Sequence, residues 1–196
     1  MAQVDWRRLI RTLISISGPV VPFVSCRSED FCVGKIYSYL ANDHARLDGA
    51  LRRATYDPDH IDRVAYAEFR EGLLRHIGME EKILLPAARS ANGGNPLASV
   101  DKLHLDHGAL AALLVPTPTS AIIAAIKTIL DGHNPLEEGP GGVYEECERL
   151  LGTGADEIVL RLQSAPRVAV APHVDNFTAL ESARNALRRA GYDVTV

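Results

Sequence analysis

Aromatic residues, sulfur and long apolar runs are all scarce in this chain of 196 residues, which holds one Trp, four Phe, six Tyr, two Met and three Cys. No apolar run is long enough to span a bilayer, so no membrane is expected as a partner. Cys26, Cys32 and Cys147 form no CxxC pair, and their odd number argues against a disulfide framework and points to a reducing cytoplasm. Neither sign of charge dominates: the formal net charge is −4, the pI is near 6.0 and the arginines are scattered. Without a basic field, nucleic acid is not an expected partner. Arg7, Arg8 and Arg11 precede an apolar stretch that partly imitates a secretion signal, but Gly18, Pro19 and Pro22 interrupt it and no small-x-small cleavage site follows. The hydrophobic content of 46% suffices for one compact domain with an appendage.

What is present is a pattern written twice. Asp43-His44 is followed by His76-Ile-Gly-Met-Glu80-Glu81, and Asp106-His107 by His133-Asn-Pro-Leu-Glu137-Glu138. A DH pair followed by HxxxEE thus recurs in the two halves, which predicts two similar helix pairs packed back to back around a shared interior.

The apolar spacing places these motifs on helices. A short amphipathic helix is expected from about Val4 to Ile16, with an irregular connector over Ser17 to Ser28. Ile36, Leu40, Leu47 and Leu51 define a helix that starts at Ser28 or Phe31, ends at Ala54 and carries His44. Asp59 is the expected cap of a second helix, which carries His76 and Glu80 to about Ala91 and stops at Asn92-Gly-Gly94. A third helix starts between Leu97 and Ser99, carries His104 and His107 and ends before Pro116. A fourth starts at Thr119 or Ser120, and Pro135 predicts a kink or restart just after His133. Gly139-Pro-Gly-Gly142 breaks the chain before a short helix from Val143 to Leu151. A short extended run at Arg167 to Ala171 and a last helix from Asn176 to Ala190 follow. This gives an N-terminal segment (1–34), a helical bundle (35–152) and a C-terminal appendage packed on it (153–196).

Residues four apart on a helix point the same way, so His76 with Glu80 and His133 with Glu137 each form a two-donor face. His44 and His107 from the other two helices complete four histidines and two glutamates. That set exceeds what one tetrahedral zinc requires, whereas two metals bridged by the carboxylates use all six donors and leave positions open. Imidazole with carboxylate suits iron, with zinc or manganese as possible substitutes. His104, three residues before His107, is either a further ligand or a partner of one. Glu81 and Glu138 follow the ligand glutamates by about 100° of rotation and are expected at the surface or beside the ligands. Asp43 and Asp106 are expected to be exposed, and Asp48 to hydrogen-bond near the site. His60, His173 and the cysteines stay outside it, with Cys147 as core packing.

The strings DHARLDGALRRA, FREGLLRHIGMEEKILLPAA, LHLDHGALAALL and HNPLEE, in this order over about residues 35 to 150, resemble the helices of the hemerythrin-like (HHE cation-binding) family. The resemblance implies an all-α fold, an up-down four-helix bundle, with a non-haem di-iron centre held by His44, His76, Glu80, His107, His133 and Glu137. The chain departs from the oxygen carriers of the family in two places. They carry two histidines four apart on the third helix, where this sequence has Leu103 and His107, and Pro135 lies between His133 and Glu137.

The function expected is binding of a small ligand, dioxygen, nitric oxide or peroxide, for sensing, scavenging or storage. The alternatives are a di-iron redox enzyme acting on peroxide or as an oxidase, an iron donor for cluster repair, and a structural or regulatory role of the metal. Five histidines lean toward oxygen binding and four toward redox turnover, which makes His104 the discriminating residue.

Overall fold

The computed structural model describes residues 34–196, and the helix expected from Val4 to Ile16, the following connector, Cys26 and Cys32 lie outside the described residues. The described chain is all-helical and contains no strand. Helix α1 spans Lys35–Ala54, α2 spans Arg63–Met79, a π-helical turn covers Glu80–Leu84, and α3 continues as Leu85–Ala91. Then come α4 (Val100–Leu113), α5 (Ser120–Glu138), α6 (Val143–Leu151), α7 (Ala155–Gln163) and α8 (Phe177–Arg189).

Most boundaries follow from local chemistry. The cap of α2 is Asp62 and not the expected Asp59: its carboxylate accepts from the Val64 and Ala65 N–H groups at 2.9 and 3.1 Å, while the Asp59 N–H turns back to Asp57. Thr119 caps α5 and Asn176 caps α8 through side-chain oxygens. The α1 N-terminus has no cap of its own, and Glu148 of α6 supplies one, accepting from the N–H groups of Lys35 and Ile36 at 3.0 and 2.9 Å.

Two prolines act differently. Pro86 has no N–H to offer the Lys82 carbonyl and its ring crowds that oxygen, so the ladder slips and Leu85 N–H reaches the Glu80 carbonyl instead. Pro135 was expected to kink or restart the fourth helix. Instead α5 runs through it to Glu138, because the single lost hydrogen bond falls in the last turns, where Gly139 N–H closes on the Pro135 carbonyl at 3.0 Å. Helix α7 was not expected, and the run from Arg167 to Ala171 pairs with no strand.

Apolar side chains gather into two cores. One joins Leu47 and Leu51 of α1, Phe69 and Leu73 of α2, Leu110 and Leu113 of α4, Ile126 and Ile129 of α5 and Leu187 of α8. The other joins Ile36 and Leu40, Met79, Leu84, Leu103, Tyr144, Cys147 and the α7 residues Ile158 and Leu162. On α1, α2 and α4 the chain passes from one core to the other at a histidine: His44, His76 and His107 each stand between a residue of each core. The polar centre is therefore sealed at both ends by hydrocarbon.

The C-terminal residues are fastened by the buried Arg70 and the half-exposed Lys102. Arg70 donates to the carbonyls of Leu114 and Ala171 at 2.7 and 2.8 Å, and Lys102 donates to the Ala190 carbonyl at 3.0 Å. Phe69 is fully buried in the first core and belongs to neither donor cluster of the centre described below. Phe69→Ala is expected to lower unfolding stability by about 3–5 kcal/mol in urea titrations while leaving metal content per folded chain unchanged.

Candidate metal centre

The inward faces of α1, α2 with the π-helical turn that follows it, α4 and α5 bring six of the seven proposed metal ligands together. His44, His76, Glu80 and Glu137 form one cluster and Glu80, His107, His133 and Glu137 a second, with donor atoms in each within 4.8 Å of one another. All six side chains are buried. The two glutamates belong to both clusters, each with one oxygen on either side. Glu80 Oε1 lies 3.3 Å from His76 Nε2, and its Oε2 lies 3.2 Å from His107 Nε2. Glu137 Oε2 lies 3.5 Å from His44 Nε2, and its Oε1 lies 3.1 Å from His133 Nε2.

The residues next to these candidate ligands turn out to orient them. His76 Nδ1 donates to Asp43 at 2.9 Å, His133 Nδ1 faces Asp106 at 3.4 Å, His107 Nδ1 donates to Glu81 at 2.6 Å and His44 Nδ1 donates to Glu138. Asp106 is fully buried and Asp43 largely so, against the expectation that both are exposed. One step of about 100° along a helix carries a side chain away from the centre but toward the neighbouring helix, not into water. Each aspartate serves the histidine of its own half of the repeat, and each second glutamate serves the DH histidine of the other half.

This wiring fixes the tautomers. An imidazole whose Nδ1–H is given to a carboxylate presents Nε2 as a lone pair when neutral. Four such nitrogens converge beside four carboxylate oxygens, and His107 Nε2 stands 3.2 Å from His133 Nε2. No donor satisfies the buried Glu80 Oε2 or Glu137 Oε1. Lone pairs and anionic oxygens facing one another in a dry interior require positive charge between them.

In the metal-free chain, protons on His76, His107 and His133 supply that charge. Burial opposes protonation of His76, and Glu80, Asp43 and Glu137 outweigh it, holding the pKa at about 10. Burial also opposes charge on His133, and Glu137 and Asp106 raise it to about 10. Against its own burial, His107 is raised to about 9 by Glu80 and Glu81. Burial works against the Asp43 carboxylate, yet hydrogen bonds from His76 and Arg46 bring it down to about 2.

The seventh proposed ligand stands apart. His104 is exposed and its Nδ1 lies 2.7 Å from Glu81 Oε1, the oxygen that also receives His107 Nδ1–H, so it touches a partner of a ligand and neither cluster. The α4 face one turn before His107 is taken by buried Leu103. Asp48, expected near the site, pairs with Arg52 at 3.3 Å. His60 and His173 reach neither cluster, and Cys147 is buried in the second core, its thiol pushed up to about 12 by burial and by the surrounding carboxylates.

One residue at the centre escaped the sequence reading. Tyr144 of α6 is fully buried, and its hydroxyl donates to Glu80 Oε1 at 2.5 Å with Glu137 Oε2 at 3.2 Å. Burial and the adjacent Glu137 and Glu80 charges hold the phenol well above its usual pKa. The glycines before it make the approach possible: a Cβ on Gly139 would lie 2.4 Å from the Pro135 carbonyl oxygen, and one on Gly142 would lie 2.6 Å from that of Glu137. The chain therefore folds back against the end of α5 and delivers Tyr144 into the interior.

A helical chain with two carboxylate-linked histidine pairs at its centre is a candidate cation-binding protein. The family model of the hemerythrin HHE cation-binding domain matches residues 35–139, and the chain belongs to that family. Comparison with curated proteins and with solved structures finds no match.

Two outcomes test this geometry. Asp43→Asn is expected to weaken metal binding about 10- to 100-fold, read by competition with a chromophoric chelator; an unchanged affinity would separate Asp43 from ligand orientation. The metal-free chain is expected to lose thermal stability as pH rises from 7 to 10. His76, His107 and His133 are raised above their ordinary 6.5, so their contribution is complete below that value and disappears through about 9 to 10. Bound cations replace those protons, so the metal-loaded chain is expected to hold a flat melting temperature over the same range.

Proposed function

We propose that the protein is a non-haem di-iron protein, its α1, α2–α3, α4 and α5 segments acting as an up-down four-helix bundle, that binds a small ligand for sensing, scavenging or storage. The observation that carries this reading is the sharing of Glu80 and Glu137, each with one carboxylate oxygen on either side. Two carboxylates in that position fit a pair of ions rather than a single one. Two imidazoles on each side complete a donor set suited to iron.

When bound, iron supplies an open coordination position and a change of oxidation state. The chain does the remainder. Asp43, Glu81, Asp106 and Glu138 hold the imidazoles in register, and the two cores keep water and bulky reductants out, which confines the site to diatomic molecules or peroxide. With His104 outside both clusters, four imidazoles remain, and this favours a second reading, redox turnover of peroxide, over reversible carriage of dioxygen.

Anaerobic purification with iron, followed by metal analysis and optical spectra before and after air, nitric oxide and peroxide, tests both. Two irons per chain with ligand-dependent spectra are the expected result, and rapid peroxide loss on the same sample selects the second reading. Zinc alone, or a melting temperature indifferent to iron, would sink the di-iron proposal.

A further inference from the structure

We infer that Tyr144 is itself a metal ligand, so that the His44–His76 side of the centre is closed and the free position for a small ligand lies on the His107–His133 side. The inference rests on the two-metal reading above and assigns different work to its two halves.

The contacts of the Tyr144 hydroxyl carry it. Four ligand atoms surround that oxygen: Glu80 Oε1 at 2.5 Å, Glu137 Oε2 at 3.2 Å, and His44 Nε2 and His76 Nε2 each at 3.4 Å. A phenol has one proton to donate and cannot serve both carboxylate oxygens. Donor atoms bound to one ion at about 2.0–2.2 Å stand about 3 Å apart, and the phenol oxygen stands in that manner to each of the four, which lie within 4.8 Å of one another. These four neighbours come from the four residues of the first cluster, and neither His107 nor His133 of the second is among them. Tyr144 is thus placed to complete a set of five donors, at the end of a loop whose Gly139 and Gly142 leave no room for a Cβ.

The second cluster has no equivalent. No hydroxyl among the described residues contacts His107 or His133. The helical position one turn before His107 carries Leu103, and His104 turns outward to Glu81. One side therefore has two imidazoles, two carboxylate oxygens and a phenol oxygen, while the other has two imidazoles and two carboxylate oxygens. On metal binding the Tyr144 O–H bond breaks, its proton leaves to solvent, and the freed electron pair forms the bond to the metal.

The test uses the full chain, loaded anaerobically with ferrous iron and oxidised with ferricyanide, with iron counted and visible and resonance Raman spectra recorded. The wild type is expected to hold two irons and to show a tyrosinate-to-ferric charge-transfer band with enhanced phenolate ring modes. Tyr144→Phe is expected to hold two irons without that band. Tyr37→Phe, whose hydroxyl donates to the Glu138 carbonyl, is expected to keep it. Two irons in the wild type without tyrosinate modes would overturn the inference and leave the di-iron proposal standing, whatever the stability of the variants. Failure to bind iron would overturn both. Azide, added as a probe, is expected to bring its own absorption while the tyrosinate modes persist; their loss on azide addition would overturn the placing of the free position.

Discussion

Eight inward-facing polar atoms, four imidazole Nε2 and four carboxylate oxygens, share a dry space between two apolar cores, and the rest of the fold answers to that constraint. Uncompensated, such a cluster costs far more than a small domain can spare. Protons on the imidazoles or cations between them make it tolerable, and each choice ties stability to its own variable, pH or metal supply. The outer carboxylates make the arrangement directional. Because they hold every Nδ1–H, they commit every Nε2 to the centre before any ion arrives, so little reorganisation is required on binding.

Much of this was legible in the sequence because the clustered histidines and glutamates sit at helical intervals. His76 with Glu80 and His133 with Glu137 lie four apart, and their neighbours Leu73, Met79 and Ile129 face the same interior, so a face carrying both ligands and core residues could be read from one periodicity. The family resemblance rested on the same residues. Asp43 and Asp106 were misplaced because periodicity measures rotation about one helix axis and does not know which other helix stands beside it. A charge turned away from the centre reads as solvated, but here it meets an imidazole arriving from the next helix. His104 was undecidable for a related reason: three residues before His107 it is displaced by about 60°, within reach of the centre or of Glu81.

Tyr144 lay beyond the reach of the repeat. It sits on a helix of nine residues after Gly139-Pro-Gly-Gly142, and a glycine-rich break reads as loosened chain. In the structure those glycines do the opposite, letting the backbone pack tightly on the end of α5. The available signal was the nearness in sequence of Glu137 and Tyr144, too weak to use without knowing that the turn between them is tight. Helix α7 was missed because nine residues with three buried positions carry too little pattern to stand out.

The crossed pairing of the outer carboxylates has a consequence for how the molecule is put together. Exchanging the two halves maps Asp43–His76 onto Asp106–His133 and Glu81–His107 onto Glu138–His44. A pattern unchanged by that exchange is the pattern of an isologous pair, in which every contact is made twice and neither partner is complete alone. Each half carries its ligands but borrows the hand that steadies one of them. The interior is thus built like the interface between two identical subunits, with the peptide chain supplying the permanent association that a separate dimer would owe to concentration.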